Sequence, residues 1–229
     1  MGILIALDGL DGSGKETQTR LLEDALKARG IPCRSISFPT YDDKMSAAVK
    51  LYLGGAFGDD PSAVGGYAAS SFYAVDRYCS YMLDWKRDYD DGVVILANRY
   101  TTANAVHQLS KLPEDAYDAF LEWLFDYEFD KLGLPAPDLV LYLCVPPAVS
   151  DALVKSRSSQ TGRSTDIHEN NKQHLHDSYR AALYSADKLG WAKIDCASDE
   201  QTLRTREDIH AEVLSHVSKL LHLSQNTTK

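Results

Sequence analysis

The sequence predicts an α/β fold in three layers, with a five-stranded parallel sheet between two layers of helices. Five short segments with strand character, among them the apolar runs Ile3–Leu7, Val93–Ala97 and Leu139–Val145, alternate along the chain with longer segments whose apolar residues recur at helical spacing. The run Val93–Ala97 contains no polar residue, which is typical of a strand that helices cover on both faces. The 229 residues suffice for one well-packed domain, and no Pro- or Ser-rich linker divides them, so we expect a single domain over 1–229.

The first strand, which begins at Ile3, leads through a glycine-rich turn into a helix. Glycine adopts positive φ at little cost, so successive backbone N–H groups can converge on an anion beside those of the helix N-terminus. The pattern Gly9-x-x-x-x-Gly14-Lys15 has the spacing of a Walker A phosphate loop (P-loop), although Glu16 replaces the Ser or Thr that ligates Mg²⁺. The predicted ATP-binding residues are Gly9, Asp11, Gly12, Ser13, Gly14, Lys15, Glu16 and Thr17.

A second strand is expected over Pro32–Phe38, followed by helices over Met45–Leu53 and about Ser62–Asp90. On the long helix, Tyr73 and Arg77 lie one turn apart on a polar face. A ring beside a guanidinium can clamp a nucleobase by stacking and hydrogen bonding, although the spacing alone also fits a surface Tyr with a solvated Arg. The expected core stripe of this helix is Tyr67, Ala74, Tyr78, Tyr81 and Trp85.

The third strand, Val93–Ala97, ends in the polar triplet Asn98-Arg99-Tyr100. Ligands of open parallel sheets bind beyond the carboxyl ends of the strands, so the position of this triplet indicates a site. Two helices are expected next, over Thr101–Lys111 and Glu114–Lys131. The aromatic stripe of the second is assigned to the core.

The last part of the chain contains a small, polar and basic segment over about 155–168. We interpret this segment as a lid whose arginines order on phosphate, with an ordinary exposed loop as the alternative. His174 and His176, two residues apart on a predicted helix, face different ways and form a poor metal site. The other expected elements are strands over Leu139–Val145 and Ala192–Asp195 and helices from Ala148, over Ile167–Lys188 and over Glu200–Leu223.

Composition excludes several classes of protein. The net charge of −9 argues against a nucleic-acid partner, which would require a basic face. The longest apolar stretch is broken by Pro146 and Pro147, and the N-terminus has no signal-peptide pattern, so we expect a cytoplasmic protein without a membrane partner. The four cysteines show no C-x-x-C spacing and are expected to be reduced.

In the order of its motifs, the sequence resembles the thymidylate kinase family of P-loop nucleoside monophosphate kinases, from about Gly2 to Ala197. The matches are the phosphate loop, Phe38-Pro39, the pair Tyr73 and Arg77, Asn98-Arg99-Tyr100 and Pro137–Leu143. The resemblance implies Mg²⁺-dependent transfer of phosphate from ATP to dTMP, giving dTDP, and a homodimer. It implies dTMP binding by Asp11, Phe38, Pro39, Tyr73, Arg77, Arg99 and Asn104, and catalytic roles for Lys15, Arg99, Arg157 and Arg163.

The departures from the family pattern leave alternatives open. Glu16 replaces the metal-binding hydroxyl and Asn98 replaces an aspartate, so we hypothesise that the metal-site carboxylate has moved from position 98 to Glu16. A catalytically impaired nucleotide-binding sensor is one alternative. A kinase for another nucleoside monophosphate or a deoxynucleoside is another, with Asp42 and Asp43 near the place of a deoxynucleoside kinase's base.

Overall fold

A computed structural model describes residues 1–41, 44–161, 166–168, 171–198 and 202–223, with the backbone alone over 157–161. Its strands are β1 (Leu4–Gly9), β2 (Cys33–Ser37), β3 (Val94–Asn98), β4 (Leu139–Cys144) and β5 (Ala192–Asp195). They form one parallel sheet in the order β2-β3-β1-β4-β5. The predicted α/β class with five parallel strands is confirmed.

The position of β1 in the middle of the sheet places the phosphate loop beside the other polar loops. Leu7 of β1 pairs with Asn98 of β3, and Gly9 pairs with Leu143 of β4. Because all the strands run in one direction, the residues that follow β1 and β3 emerge at the same edge. That edge is where the sequence predicts the ligands.

The helices cover both faces of the sheet. The described helices are α1 (Lys15–Ala28), α2 (Ala47–Leu53), α3 (Gly66–Ser80), α4 (Lys86–Asp90), α5 (Thr102–His107), α6 (Tyr117–Phe125), α7 (Pro147–Thr161), α8 (Lys172–Leu189) and α9 (Arg206–Leu220). Alternate residues of β1 face opposite layers, so that Leu4 and Ala6 pack beneath helices α4, α5, α6 and α8, whereas Ile5 and Leu7 pack beneath α1 and α9.

The helix predicted over Ser62–Asp90 differs from the expectation in its start, pitch and buried face. A 3₁₀ turn, Pro61–Ala63, precedes α3, and a π-helical segment, Tyr81–Trp85, joins α3 to α4. The predicted core stripe is wrong in part, because Tyr67 and Tyr78 are 42% and 38% exposed. The polar face is buried instead because it is turned toward a cleft; its buried members are Ser70, Arg77 and Ser80.

The first half of the segment predicted as a lid is a helix and not a loop. Helix α7 continues to Thr161, so the first half of 155–168 is helical. The side chain of Arg157 and the whole of Arg163 lie outside the described residues. At the far end, Ile167 is buried against Val49 and Tyr52. A closing lid therefore stays a prediction.

Two helices begin later than predicted, at residues that cap them. Helix α8 starts after Asn171, whose side chain accepts a hydrogen bond from the His174 backbone N–H at 2.9 Å. Helix α9 starts after Thr205, whose hydroxyl accepts from the Asp208 N–H at 3.1 Å. Such caps satisfy N–H groups that the first turn leaves unpaired.

Asp42 and Asp43, which the sequence places near the position of a deoxynucleoside kinase's catalytic base, lie outside the described residues.

The four cysteines are free thiols, as predicted. Burial raises the pKa of the Cys144 and Cys196 thiols to about 12, so both stay protonated at neutral pH. Within the described part of the chain, no helix is long and apolar enough to span a membrane.

Candidate active site

The turn between β1 and α1 contains the left-handed glycines that the sequence predicts. The φ angle is +155° at Gly9, +78° at Gly12 and +88° at Gly14. A Cβ atom on Gly9 would lie 2.6 Å from Ser13 Oγ and 2.8 Å from the Leu143 carbonyl oxygen, so no larger residue fits there. Gly14 caps α1, and the free N–H groups of the first helical turn therefore face the same loop.

Lys15 places a positive charge within this turn. Its Nζ donates hydrogen bonds to the carbonyl oxygens of Gly9 at 2.9 Å and Leu10 at 2.7 Å. The side chain is buried, so little water screens the charge. The turn thus combines backbone N–H groups with an ammonium group, which is the arrangement that a terminal phosphate requires.

Arg99 follows β3 and faces the turn from the neighbouring strand. Its Nη2 donates to Asp11 Oδ1 at 2.6 Å, and its Nη1 lies 3.5 Å from Asp8 Oδ1. Nη1 also contacts His107 Nε2 at 2.8 Å, and because a guanidinium can only donate, the imidazole nitrogen accepts. The backbone of Arg99 has φ of +67°, an uncommon conformation for a residue with a side chain. Three side chains therefore fix the guanidinium at the edge of the sheet.

The charges around Arg99 support one another. Burial alone would raise the pKa of Asp11, but the positive charges of Arg99 and Lys15 outweigh it and hold that pKa well below its usual value. Burial likewise disfavours the charged guanidinium, yet Asp11 and Asp8 raise the pKa of Arg99. Both partners are therefore ionised at neutral pH.

A cleft that is partly open to solvent lies beside Arg99 and holds about 470 Å³ when the open space at its mouth is included. All seven residues predicted to bind dTMP line it, although they come from four separate parts of the chain: Asp11, Phe38, Pro39, Tyr73, Arg77, Arg99 and Asn104. Asp11 belongs both to this cleft and to the phosphate loop, so the two predicted sites are contiguous.

A buried carboxylate organises the deep end of the cleft. Glu128 accepts from Arg77 Nε at 2.7 Å and from Arg77 Nη2 at 2.5 Å, and the two side chains are 0% and 1% exposed. It also accepts from Thr101 Oγ1 at 2.7 Å and from Asn104 Nδ2 at 3.1 Å. Burial disfavours the charge on Arg77, but the contact with Glu128 raises its pKa. Sequence reasoning missed Glu128, whose position one turn after the buried Leu124 was the available signal.

The match to a known sequence family decides what kind of protein this is. The family model described as Thymidylate kinase matches residues 7–209, which is most of the chain. The chain belongs to the thymidylate kinase family. The resemblance predicted from the motifs is confirmed, and the chain is a phosphotransferase.

Individual thymidylate kinases are similar in sequence to this chain over most of their length. The chain is 32% identical to the thymidylate kinase of Mycobacterium tuberculosis over 171 residues, which cover 73% of this chain and 78% of that protein. It is 23% identical to the thymidylate kinase of Danio rerio, and the matched residues cover 98% of this chain and 93% of that protein. The solved structure of Candida albicans thymidylate kinase superposes with a TM-score of 0.68 at 18% identity, over 97% of this chain and 94% of that one.

Two positions where this member of the thymidylate kinase family departs from the predicted pattern suit a hard cation. Glu16 is exposed in the first turn of α1, beside the loop. Asn98 Nδ2 donates to Ser37 Oγ at 3.2 Å, while Asn98 Oδ1 is buried without a hydrogen-bond partner among the described residues. Carboxylate and amide oxygens are ligands that Mg²⁺ accepts, so the residues fit the ion that the thymidylate kinase family implies.

Three buried histidines lie together beside the cleft, and sequence reasoning considered only His174 among them, paired with His176. Burial lowers the pKa of His107 and His168 well below the ordinary value and that of His174 to about 4, so all three are neutral at pH 7. His176 is exposed, as expected of a residue on another face of α8. The pair His174 and His176 is therefore not a site, but His174 meets the nearby His168 and the sequence-remote His107.

Proposed function

We propose that this chain transfers the γ-phosphoryl group of ATP to dTMP, giving dTDP and ADP. The observation that carries the proposal is the cleft that continues the phosphate loop and is lined by all seven predicted acceptor residues. A phosphate oxygen of dTMP would attack the γ-phosphorus while its bond to the bridging oxygen of ADP breaks. Such a reaction needs positioned phosphates and fixed positive charge more than a general base.

The deep end of the cleft favours thymine or uracil over cytosine. The amide nitrogen of Asn104 donates to Glu128 and, at 3.4 Å, to the Ser70 carbonyl oxygen, which leaves its Oδ1 as an acceptor. Arg77 retains N–H donors beyond those that Glu128 uses. Thymine offers the complementary N3–H donor and O4 acceptor, whereas cytosine offers the reverse pattern. Tyr73 supplies a ring for stacking.

The other charged groups divide between the two substrates. We assign Lys15 to the terminal phosphates of ATP and Arg99 to the phosphate of dTMP, since these cations lie in the loop and at the cleft. Arg157 and Arg163 are proposed to close over the transferring group, where negative charge spreads onto the equatorial oxygens. When bound with ATP, Mg²⁺ supplies neutralisation of phosphate charge, with Glu16 and Asn98 as its proposed protein contacts.

An acceptor panel tests the proposed reaction. We expect dTMP to give the highest kcat/KM among dTMP, dUMP, UMP, CMP and thymidine, with CMP lower by about 10²-fold because it leaves buried groups unpaired. ADP release in a coupled assay is the measurement, and a Lys15→Met variant controls for contaminating ATPase. Faster turnover of thymidine would instead identify a deoxynucleoside kinase. Binding of ATP and dTMP without turnover would identify a sensor.

The proposed carboxylate relocation predicts coupling between positions 16 and 98. Glu16→Ser and Asn98→Asp are each expected to weaken Mg²⁺-dependent ATP binding, whereas the double variant regains part of the loss because it restores one hydroxyl and one carboxylate. We expect a non-additivity of about 1 kcal/mol or more by calorimetry with and without Mg²⁺. Strictly additive losses would remove the idea of a shared metal site.

We also propose a cytoplasmic homodimer that uses neither nucleic acid nor membrane as a partner. The net charge of −9 supports the absence of a nucleic-acid partner. Apolar side chains remain exposed along the outer side of α3 and the π-helical segment, with Val75 52% and Leu83 79% exposed. A surface of this kind supports pairing with a second copy of the chain.

A further inference from the structure

Three histidines from separate segments meet beside the cleft. His107 lies on α5, His168 in the described stretch 166–168 and His174 on α8. One ring nitrogen of each lies within 4.8 Å of one ring nitrogen from both others. Their ring centroids are 4.5–6.0 Å apart. Three imidazoles around one tetrahedral cation have centroids about 5 Å apart, so the cluster has nearly the spacing of a three-histidine metal site.

The three imidazole rings would need to move only a short distance to bind one cation. Three nitrogens 4.8 Å from one another lie on a circle whose radius is about 2.8 Å, compared with a zinc–nitrogen distance of about 2.0–2.1 Å. Each ring would therefore need to move inward by less than about 1 Å, which side-chain rotation supplies.

In two of the rings, a hydroxyl contacts one nitrogen and leaves the other available to a cation. His168 Nε2 lies 2.7 Å from the Tyr52 hydroxyl, and His174 Nε2 lies 3.4 Å from Ser178 Oγ. Each hydroxyl can accept an N–H, which would leave the Nδ1 lone pair of that ring for a cation. Lys111 donates to the Tyr52 hydroxyl at 2.6 Å and thereby fixes it in place.

The third ring carries a competing bond. His107 Nε2 accepts from Arg99 at 2.8 Å, and its buried Nδ1 has no hydrogen-bond partner among the described residues. A cation on Nδ1 would require the proton to reside on Nε2, which would then face an Arg99 group that can only donate. A cation on Nε2 would displace Arg99 directly. Either way, His107 cannot hold both a cation and Arg99.

We propose that His107, His168 and His174 bind Zn²⁺, or a similar divalent cation that prefers imidazole, and that binding releases Arg99 from His107. Three histidines with one open position are an established zinc-ligand set, whereas Mg²⁺ prefers oxygen ligands and would not compete. The binding site stands independently of the proposed reaction. Its effect on catalysis rests on the proposed role of Arg99, because a displaced guanidinium holds the acceptor phosphate less well.

Metal binding without nucleotide tests the site itself. The wild-type chain is expected to take one Zn²⁺ from a chromophoric indicator, and Co²⁺ is expected to give the visible bands of a tetrahedral site. His174→Ala should weaken Zn²⁺ binding by about 10-fold or more, since one of three ligands is lost. His176→Ala, on the same helix but exposed, is the matched control and should bind as wild type. His174→Gln is a second variant that also lacks the imidazole, and a melting temperature close to that of wild type would show that its loss of Zn²⁺ binding is not due to misfolding.

Kinetics test the link to Arg99. Zn²⁺ at saturating Mg²⁺–ATP is expected to raise the KM for dTMP about 10-fold in wild type and in His176→Ala, but not in His174→Ala. Wild type without Zn²⁺ binding, or His174 variants that bind as tightly as wild type, would overturn the site. Binding with an unchanged KM would overturn the link. If no acceptor is phosphorylated, the proposed function fails while the indicator assay still decides the site.

Discussion

Replacing Arg99 with alanine is expected to lower kcat/KM for dTMP by about 10³-fold, because a fixed cation at the reacting phosphate would be lost. Asp11, Asp8 and His107 hold the guanidinium at the cleft, and alanine would leave these three groups without it. Steady-state ADP release with dTMP as the varied substrate provides the measurement.

Arg99→Lys separates charge from geometry. A lysine keeps the charge but cannot span Asp11 and His107 with one planar fork, so we expect an intermediate loss. ATP binding by calorimetry is the specificity control and should change little, since the loop and Lys15 are untouched. An Arg99→Ala enzyme within about 10-fold of wild type would contradict the assignment of Arg99 to the acceptor phosphate.

Replacing Glu128 with alanine is expected to lower the free energy of unfolding by about 3–5 kcal/mol, because the buried Arg77 charge would lose its partner. Arg77 is 1% exposed, so in its present position water does not replace the lost carboxylate. Thr101 and Asn104 would lose their acceptor as well. Urea unfolding, with the m value checked against wild type, measures the loss.

Matched variants distinguish this buried pair from a general effect of removing carboxylates. Glu122→Ala, on the exposed side of α6, should change the stability by less than about 0.5 kcal/mol. Glu128→Gln keeps the shape and part of the hydrogen bonding, so its loss should be smaller than that of Glu128→Ala. A Glu128→Ala loss of less than about 1 kcal/mol would contradict the charge-pair argument.

The fold was largely predictable because it depends on local patterns. Apolar runs identified β1, β3 and β4, the alternation of strands with helices indicated the more polar β2 and β5, and β5 has the predicted bounds, Ala192–Asp195. Spacing gave the wrong buried face for Tyr67 and Tyr78, since apolar residues were assumed to point inward. Helix α3 instead buries the polar face that lines the cleft, and a π-helical segment follows it. Neither feature has a local sequence signal of sufficient strength.

The site residues likewise differ in whether a local sequence pattern or tertiary packing brings them to the site. The loop glycines and Arg99 were predictable because a phosphate turn and a strand end have characteristic neighbours in sequence. Glu128 acts through partners on α3 and α5, and the histidine cluster joins α5, the stretch 166–168 and α8. Helical spacing could indicate that Glu128 lies on a buried face, but its partners and those of the histidines depend on tertiary packing, which a single sequence does not give.

The central position of β1 also constrains how the protein is made. Its two neighbours are β3 and β4, with Leu4 opposite Ile95 and Ile5 opposite Leu139, whereas β2 pairs only with β3. During synthesis, β1 therefore cannot pair at both of its edges until β3 and β4, which lie much later in the chain, have been made. The strand that leads into the phosphate loop thus gains its full set of partners long after it has itself been translated.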